Sequence, residues 1–198
     1  ASDVYKRQPL LAFILSYFLR YILVGGESEG EYVFYENDNI IIYMFMAVIV
    51  ALFLGLTVSA EEIFKDQKIR KRESFLNLSK GSYLISKIMI MFSLSAIQMF
   101  SFIIVGNSIL GTQGMLWDYW LILFSTACFA NMLGLNISAS FNPAVTIYIL
   151  IPFLIIPQIL FSGVLVKFER LNPTITSQSV VPPIGQIMAS RWSFEALA

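Results

Sequence analysis

The sequence has no histidine, and charged residues make up only 13% of its 198 positions. The lack of histidine removes the commonest general base and the commonest metal ligand. The single cysteine, Cys128, excludes an internal disulfide. Soluble domains carry about 25% charged residues. The low charge, together with 57% hydrophobic residues, therefore predicts an integral membrane protein.

Sequence motifs of catalysis are missing as well. The chain has no GxxxxGK[ST] loop, so it cannot hold ATP phosphates by the P-loop mechanism. It has neither HExxH nor GxSxG, and Cys128 has no histidine to activate its thiol. We therefore expect no catalytic residues, no metal ligands and no cofactor within this stretch of sequence.

Long apolar runs predict five membrane-spanning helices, because a helix crosses a bilayer with about 20 consecutive apolar residues. The runs lie at residues 9–24, 40–59, 84–108, 117–138 and 143–166. The expected fold class is thus an all-α integral membrane protein. Residues 1–8 are expected to be a non-native or truncated start, and the alternative is a native basic segment beside the membrane.

Charge is distributed unevenly along the chain. Residues 25–39 contain Glu and Asp but no basic residue. The segment 61–87 carries seven of the thirteen Lys and Arg residues, namely Lys65, Lys68, Arg70, Lys71, Arg72, Lys80 and Lys87. By the positive-inside rule, this basic loop is cytoplasmic and the second span runs inward. The alternative for the cluster is a topology signal that binds anionic lipid head groups.

Small residues recur at helical spacing in two of the spans. Such stripes let neighbouring backbones approach closely in membranes. They comprise Ala47, Ala51, Gly55 and Ser59 in the second span and Ala130, Gly134 and Ser138 in the fourth. The third span places Ser95, Gln98 and Ser101 close to one face, which favours hydrogen bonds between helices over contact with a substrate.

Three motifs follow one another along the chain and carry a family resemblance. They are Ser59-Ala60-x-Glu62-Ile63-Phe64 with the later Ser82-Tyr83 and Lys87, then Phe161-Ser162-Gly163-Val164-Leu165-Val166, then Arg191-Trp192-x-Phe194-x-Ala196-Leu197. In this order and spacing they resemble the permease domain of the G subfamily of ABC transporters, which belong to the type-2 ABC exporters. The resemblance covers nearly all of residues 9–198.

The resemblance implies six spans, of which five are present, and a cytoplasmic coupling helix between the second and third. Residues 167–198 would then form an outer region with short re-entrant helices before the missing sixth span. The coupling helix would lie against a nucleotide-binding domain. The coupling residues implied are Glu61, Glu62, Arg70, Lys71, Arg72 and Glu73.

The resemblance also implies a path for a substrate between two copies of the domain. The cavity residues implied are Leu52, Gly55, Pro152, Ile156 and Ile159, and an apolar plug at the outer exit would comprise Val164 and Leu165. The three residues on the fifth helix share a face, because they are spaced by four and three. Pro152 and Pro157 each remove a backbone hydrogen bond, so they tend to kink this helix.

The function implied is that of an ATP-driven ABC exporter, which moves a hydrophobic or amphipathic substrate by alternating access. Its ATPase domain, with ATP and Mg, would lie upstream on the same polypeptide. The partners expected are this domain, a second half-transporter as a homodimer, and membrane lipids, but not nucleic acid. The location expected is the plasma (inner) membrane.

Two other classes of protein remain open from the residues alone. A secondary transporter or channel should show repeated halves or an ionisable residue at mid-membrane, and apart from Arg20 the sequence shows neither. A membrane scaffold or lipid-modifying protein without transport is the other alternative. A Walker A motif in the upstream sequence would favour the exporter over both.

Overall fold

The computed structural model describes residues 2–20, 39–66, 79–112, 114–141, 144–165 and 183–198. Within these ranges the chain is all-α, as the sequence predicts. The helices are α1 (Ser2–Leu19), α2 (Ile40–Ala60), α3 (Glu62–Lys65), α4 (Lys80–Leu110), α5 (Leu116–Ser140), α6 (Ala144–Leu160), α7 (Pro183–Ile187) and α8 (Ala189–Leu197).

Three apolar stretches in the described part of the chain are long enough to cross a membrane. They are Ile40–Lys65, Gly81–Leu110 and Leu116–Ser140, and they match the second, third and fourth predicted spans. Two shorter apolar helices, Pro9–Leu19 and Tyr148–Leu160, fall within the predicted first and fifth spans. That these two also cross the membrane stays a prediction.

The two ends of the helix bundle differ in chemistry. At one end, which we call the charged end, α2 finishes beside α3 and the first turns of α4. At the other, which we call the aromatic end, α4 finishes at Gly111 and α5 begins beside Trp117 and Trp120. Gly111 closes α4 with a left-handed φ of 68°, and its N–H donates to the Asn107 carbonyl at 2.9 Å. Glycine adopts this conformation without a Cβ clash, so the helix ends here.

Helices α2 and α5 form the closest contact, and the two predicted stripes of small residues meet there. A Cβ built on Gly55 would lie 2.7 Å from Ala130 Cβ and 2.8 Å from the Ala127 carbonyl oxygen. A Cβ on Gly134 would overlap Ser59 Oγ. The structure therefore confirms that both stripes serve helix packing, because larger residues would force the backbones apart.

Helices α4 and α5 are joined by polar contacts in an apolar setting. Asn131 Nδ2 donates to Ser95 Oγ at 2.7 Å, and Trp120 Nε1 donates to the Ala96 carbonyl at 3.0 Å. Ser95 and Gln98 are both buried. These residues face other helices, as predicted, since an unpaired polar group facing lipid would cost several kcal/mol (about 2–7).

Helix α8 packs against α2, α5, α6 and α7. Ser190 N–H donates to Gln158 Oε1 of α6 at 3.0 Å, and Ser193 Oγ lies 2.6 Å from Thr126 Oγ1 of α5. The Phe194 ring meets Phe45 of α2 edge to face. Thr126 lies ten residues after the start of α5. Its contact with Ser193 is therefore about 15 Å from that start along the axis of α5. The predicted outer region 167–198 is thus described from residue 183 onward, where it lies against the bundle.

We predict that Gly55→Ala lowers the free energy of unfolding by about 1–3 kcal/mol, because the added Cβ would press against Ala130 and the Ala127 backbone. Thermal unfolding in detergent, followed by the reactivity of the single thiol Cys128, measures this change. The matched control is Gly81→Ala, whose Cβ would meet only Ser79 Oγ at 3.8 Å. Equal stability of the two variants would contradict the close α2–α5 contact.

Candidate coupling site at the charged end

The short helix α3 is fixed to the bundle by a hydroxyl group from another helix. Ser138 Oγ, near the end of α5, accepts hydrogen bonds from the N–H groups of Ile63 at 3.0 Å and Phe64 at 2.9 Å. The first N–H groups of a helix have no partner within the helix, and here Ser138 satisfies two of them. Ser138 and Ile63 are each only 4% exposed, so α3 is docked by a buried contact.

One lysine then joins α3 to the start of α4. Lys87 Nζ lies 2.7 Å from Glu62 Oε1 and 2.7 Å from Asp66 Oδ2. The Tyr83 hydroxyl donates to Asp66 Oδ2 at 3.0 Å. Glu62 and Asp66 are one turn apart, as are Tyr83 and Lys87, so each pair presents both side chains on one side. We call Glu62, Asp66, Tyr83 and Lys87 the lysine network.

The lysine network lies partly out of water. The Lys87 side chain is 16% exposed, and both carboxylates are about one quarter exposed. A pair in this setting is screened less than a surface pair, which typically contributes about 0–1 kcal/mol. Because one cation holds two carboxylates, removing Lys87 would leave two like charges side by side.

A second, more exposed ion pair lies within the same segment. Lys65 pairs with Glu61 one turn earlier, and the Lys65 side chain is 64% exposed. This pair lies within α3 and its cap, so it joins no two helices. Among the described residues, Glu61 and Glu62, both predicted as coupling residues, therefore differ in their contacts, because Glu62 bonds to Lys87 of α4 whereas Glu61 pairs with Lys65. The predicted coupling residues Arg70, Lys71, Arg72 and Glu73 lie outside the described residues.

Within a single chain, the predicted cavity residues do not share one open surface. Leu52 is 1% exposed, and Gly55 lies in the α2–α5 contact. On α6, by contrast, Pro152 is exposed and Ile156 is 61% exposed, whereas Ile159 is half-buried against the core. The structure therefore assigns Leu52 and Gly55 to packing in the single chain, and places Pro152 and Ile156 at its surface.

The predicted plug residues follow the end of α6. Val164 is half-buried, and Leu165 is 65% exposed. Gly163 before them has a φ of 81°, which is the left-handed region that favours glycine. Ser162 Oγ accepts a hydrogen bond from Val164 N–H at 3.3 Å. These two apolar side chains are thus held in a turn at the aromatic end.

Four residues of the site were not assigned to it from the sequence. Asp66 was not singled out, Ser138 was assigned to helix packing, and Tyr83 with Lys87 entered only as part of a motif. The spacing of four residues in Glu62/Asp66 and in Tyr83/Lys87 predicts that each pair lies on one side of its helix, but not that the two pairs meet. The partner of Ser138 could not be found in this way, since it lies 75 residues away along the chain.

A comparison with protein families decides the identity of this bundle. The family model described as ABC-2 type transporter matches residues 5–196. The chain belongs to the ABC-2 type transporter family. It is thus an integral membrane protein and a permease domain of an ABC-type transporter. No curated protein and no solved structure matches the chain in the two other comparisons.

We predict that Ser138→Ala in this ABC-2 permease domain frees α3 from α5. Loss of the shared acceptor leaves two N–H groups without a partner, which typically costs about 1–3 kcal/mol. Hydrogen exchange at the Ile63 and Phe64 amides should become at least about ten-fold faster. The control is Ser140→Ala, since exposed Ser140 donates a hydrogen bond to the Asn136 carbonyl of its own helix. Unchanged exchange in Ser138→Ala would show that α3 is docked by other contacts.

We predict that Lys87→Met lowers the free energy of unfolding by about 1–2 kcal/mol, because Glu62 and Asp66 then repel each other. Lys65→Met removes a cation from an exposed pair and should cost no more than about 0.5 kcal/mol. Thermal unfolding in detergent compares the two. Restoration of stability by adding Glu62→Gln to Lys87→Met is expected, and equal losses in the two single variants would refute the network.

Proposed function

We propose that this chain is the permease domain of an ATP-driven exporter, and that α3 with the segment up to residue 73 receives the mechanical work. The observation that carries the proposal is the docking of α3 to α5 through Ser138 and to α4 through Lys87. A short charged helix joined to three long apolar helices can transmit a displacement to all of them. Membership of the ABC-2 type transporter family supports this function.

The direction in which the bundle lies in the membrane follows from charge. The loop 61–87 holds seven of the thirteen Lys and Arg residues, and cytoplasmic loops carry such an excess. The charged end then faces the cytoplasm, and the aromatic end faces outward. In this orientation α3 is accessible to an ATP-binding cassette domain, which hydrolyses ATP with Mg²⁺. We place that domain upstream on the same polypeptide, and the protein in the plasma membrane.

The mechanism follows from how α3 is attached. Closure of two ATP-binding domains would push α3, which continues directly from α2. Ser138 would carry the displacement to α5, and the lysine network would carry it to α4, so that three spans move as one unit. Because α2 and α5 are closely packed at Gly55, they are expected to tilt together and not to slide past each other.

The transport path is proposed to lie between two copies of the domain. Apolar side chains on α6 are exposed in the single chain, namely Tyr148, Ile149, Phe153, Ile156 and Leu160. A homodimer would cover part of this surface and leave Pro152, Ile156 and Ile159 along a central cavity for an apolar or amphipathic substrate. Leu52 is buried and Gly55 lies in the α2–α5 contact, so neither residue lines this cavity while α2 and α5 move together. Val164 and Leu165 would close its outer exit.

We predict that Arg70→Glu, Lys71→Glu and Arg72→Glu together uncouple ATP hydrolysis from transport, because reversed charges would oppose docking of the ATP-binding domain. The intact transporter in proteoliposomes is assayed for ATP hydrolysis and for uptake of an amphipathic dye. Transport per ATP hydrolysed should fall at least about ten-fold.

The matched control for this variant reverses two basic residues that are predicted to lie outside, Lys167→Glu with Arg170→Glu. A cysteine at position 74, placed in a Cys128→Ala background, reports the side of the membrane through a membrane-impermeant thiol reagent. Labelling from the cytoplasmic side only is expected when the basic residues are unchanged, and outside labelling in the triple variant alone would show that the reversed charges misplace the loop. Unchanged coupling in the triple variant would remove the coupling role, and labelling of position 74 from outside with the basic residues unchanged would overturn the topology.

A further inference from the structure

A cleft at the aromatic end belongs to neither the coupling site nor the proposed path. It is an open depression on the surface of the bundle, with a volume of about 340 Å³. It lies where α4 ends and α5 begins. The cleft is lined by Ile104, Asn107, Ser108, Gly111, Thr112 and Leu116.

Among the described residues, two hydrogen-bonding groups that belong to the lining of the cleft have no partner. Asn107 is only 8% exposed, and its Nδ2 makes no hydrogen bond; Thr112 Oγ1 is buried and makes none either. Leaving such a group unpaired typically costs about 1–3 kcal/mol, so it calls for a partner. Both atoms are covered in this structure, so a ligand in the cleft would reach them after the Asn107 amide and the Thr112 hydroxyl turn toward it, and the broad terminal torsion of asparagine allows such a turn.

The remaining lining residues indicate which chemical groups the rest of a ligand should have. The Ile104 side chain is 41% exposed and lies two turns from Gly111, which is about 10 Å along α4. Together with Leu116 it forms an apolar floor below the two polar groups. None of the lining residues is basic, so the cleft offers hydrogen-bond donors without a positive charge. A neutral acceptor at the head of an apolar chain fits this chemistry, whereas a phosphate does not.

The position of the cleft in the membrane supplies such a ligand. Trp117, directly after Leu116, is 67% exposed, and exposed tryptophans are enriched at the boundary between hydrocarbon and head groups. At this depth glycerolipids carry the ester carbonyls that join their acyl chains to glycerol. We propose that the cleft binds the ester region of a glycerolipid, with Asn107 and Thr112 donating to its carbonyl oxygens and with an acyl chain along Ile104 and Leu116.

Photolabelling with two matched lipids tests the site. The full protein is reconstituted with phosphatidylcholine that carries a diazirine in one acyl chain, or with its dialkyl ether analogue, which lacks both ester carbonyls. Labelling of the peptide that contains residues 104–116 is quantified by mass spectrometry. We expect the ester lipid to label this peptide about five-fold more strongly than the ether lipid, as for the loss of one or two hydrogen bonds.

Variants of the two donors complete the test. Thr112→Val and Asn107→Leu should each reduce labelling by the ester lipid toward the level of the ether lipid. Ser108→Ala should leave it unchanged, because Ser108 Oγ already donates to the Ile104 carbonyl of its own helix. Thermal unfolding identifies a variant that fails to fold, and Thr112, which lies after the end of α4, then carries the test alone. Equal labelling by both lipids, or full labelling of Thr112→Val, would overturn the proposal.

Discussion

The close approach of α2 and α5 is the constraint on which the rest of the structure depends. Lipid tails are as apolar as leucine, so apolar surface alone gives helices no reason to associate in a membrane. Gly55 and Gly134 remove the side chains that would separate the two backbones. Since α5 then lies directly beside the end of α2, Ser138 is within reach of the α3 backbone. The docking of α3 is thus a consequence of two glycines in the α2–α5 contact.

Much of this architecture could be predicted from residues that act within their own helix. Ala47, Ala51, Gly55 and Ser59 are four residues apart, and that spacing fixes a face whatever the neighbour is. The apolar runs around α2, α4 and α5 are long enough to predict spans on their own. The shorter apolar stretch in α6 is interrupted by Pro152 and Pro157, so its length gives a weaker signal.

The candidate site was harder to predict because it depends on pairings between helices. Nothing in the spacing of Glu62 and Asp66 indicates that Lys87, rather than one of the six other basic residues of the loop, is their partner. Leu52 shows the same difficulty for a residue that was predicted from the resemblance. The resemblance assigns this position on α2 to a cavity. In the single chain, however, Leu52 is buried by the packing of α2 against its neighbours, and no local sequence pattern indicates that packing.

The length of α4 has a consequence for the depth at which α3 lies in the membrane. The helix has 31 residues, about 46 Å, whereas the hydrocarbon core is about 30 Å thick. The 23 residues after Lys87 extend about 35 Å, so a moderate tilt places the ammonium group at the edge of the hydrocarbon. Lys87 then sets the depth of α4 in the bilayer. It also holds its partners Glu62 and Asp66 at the boundary between hydrocarbon and water.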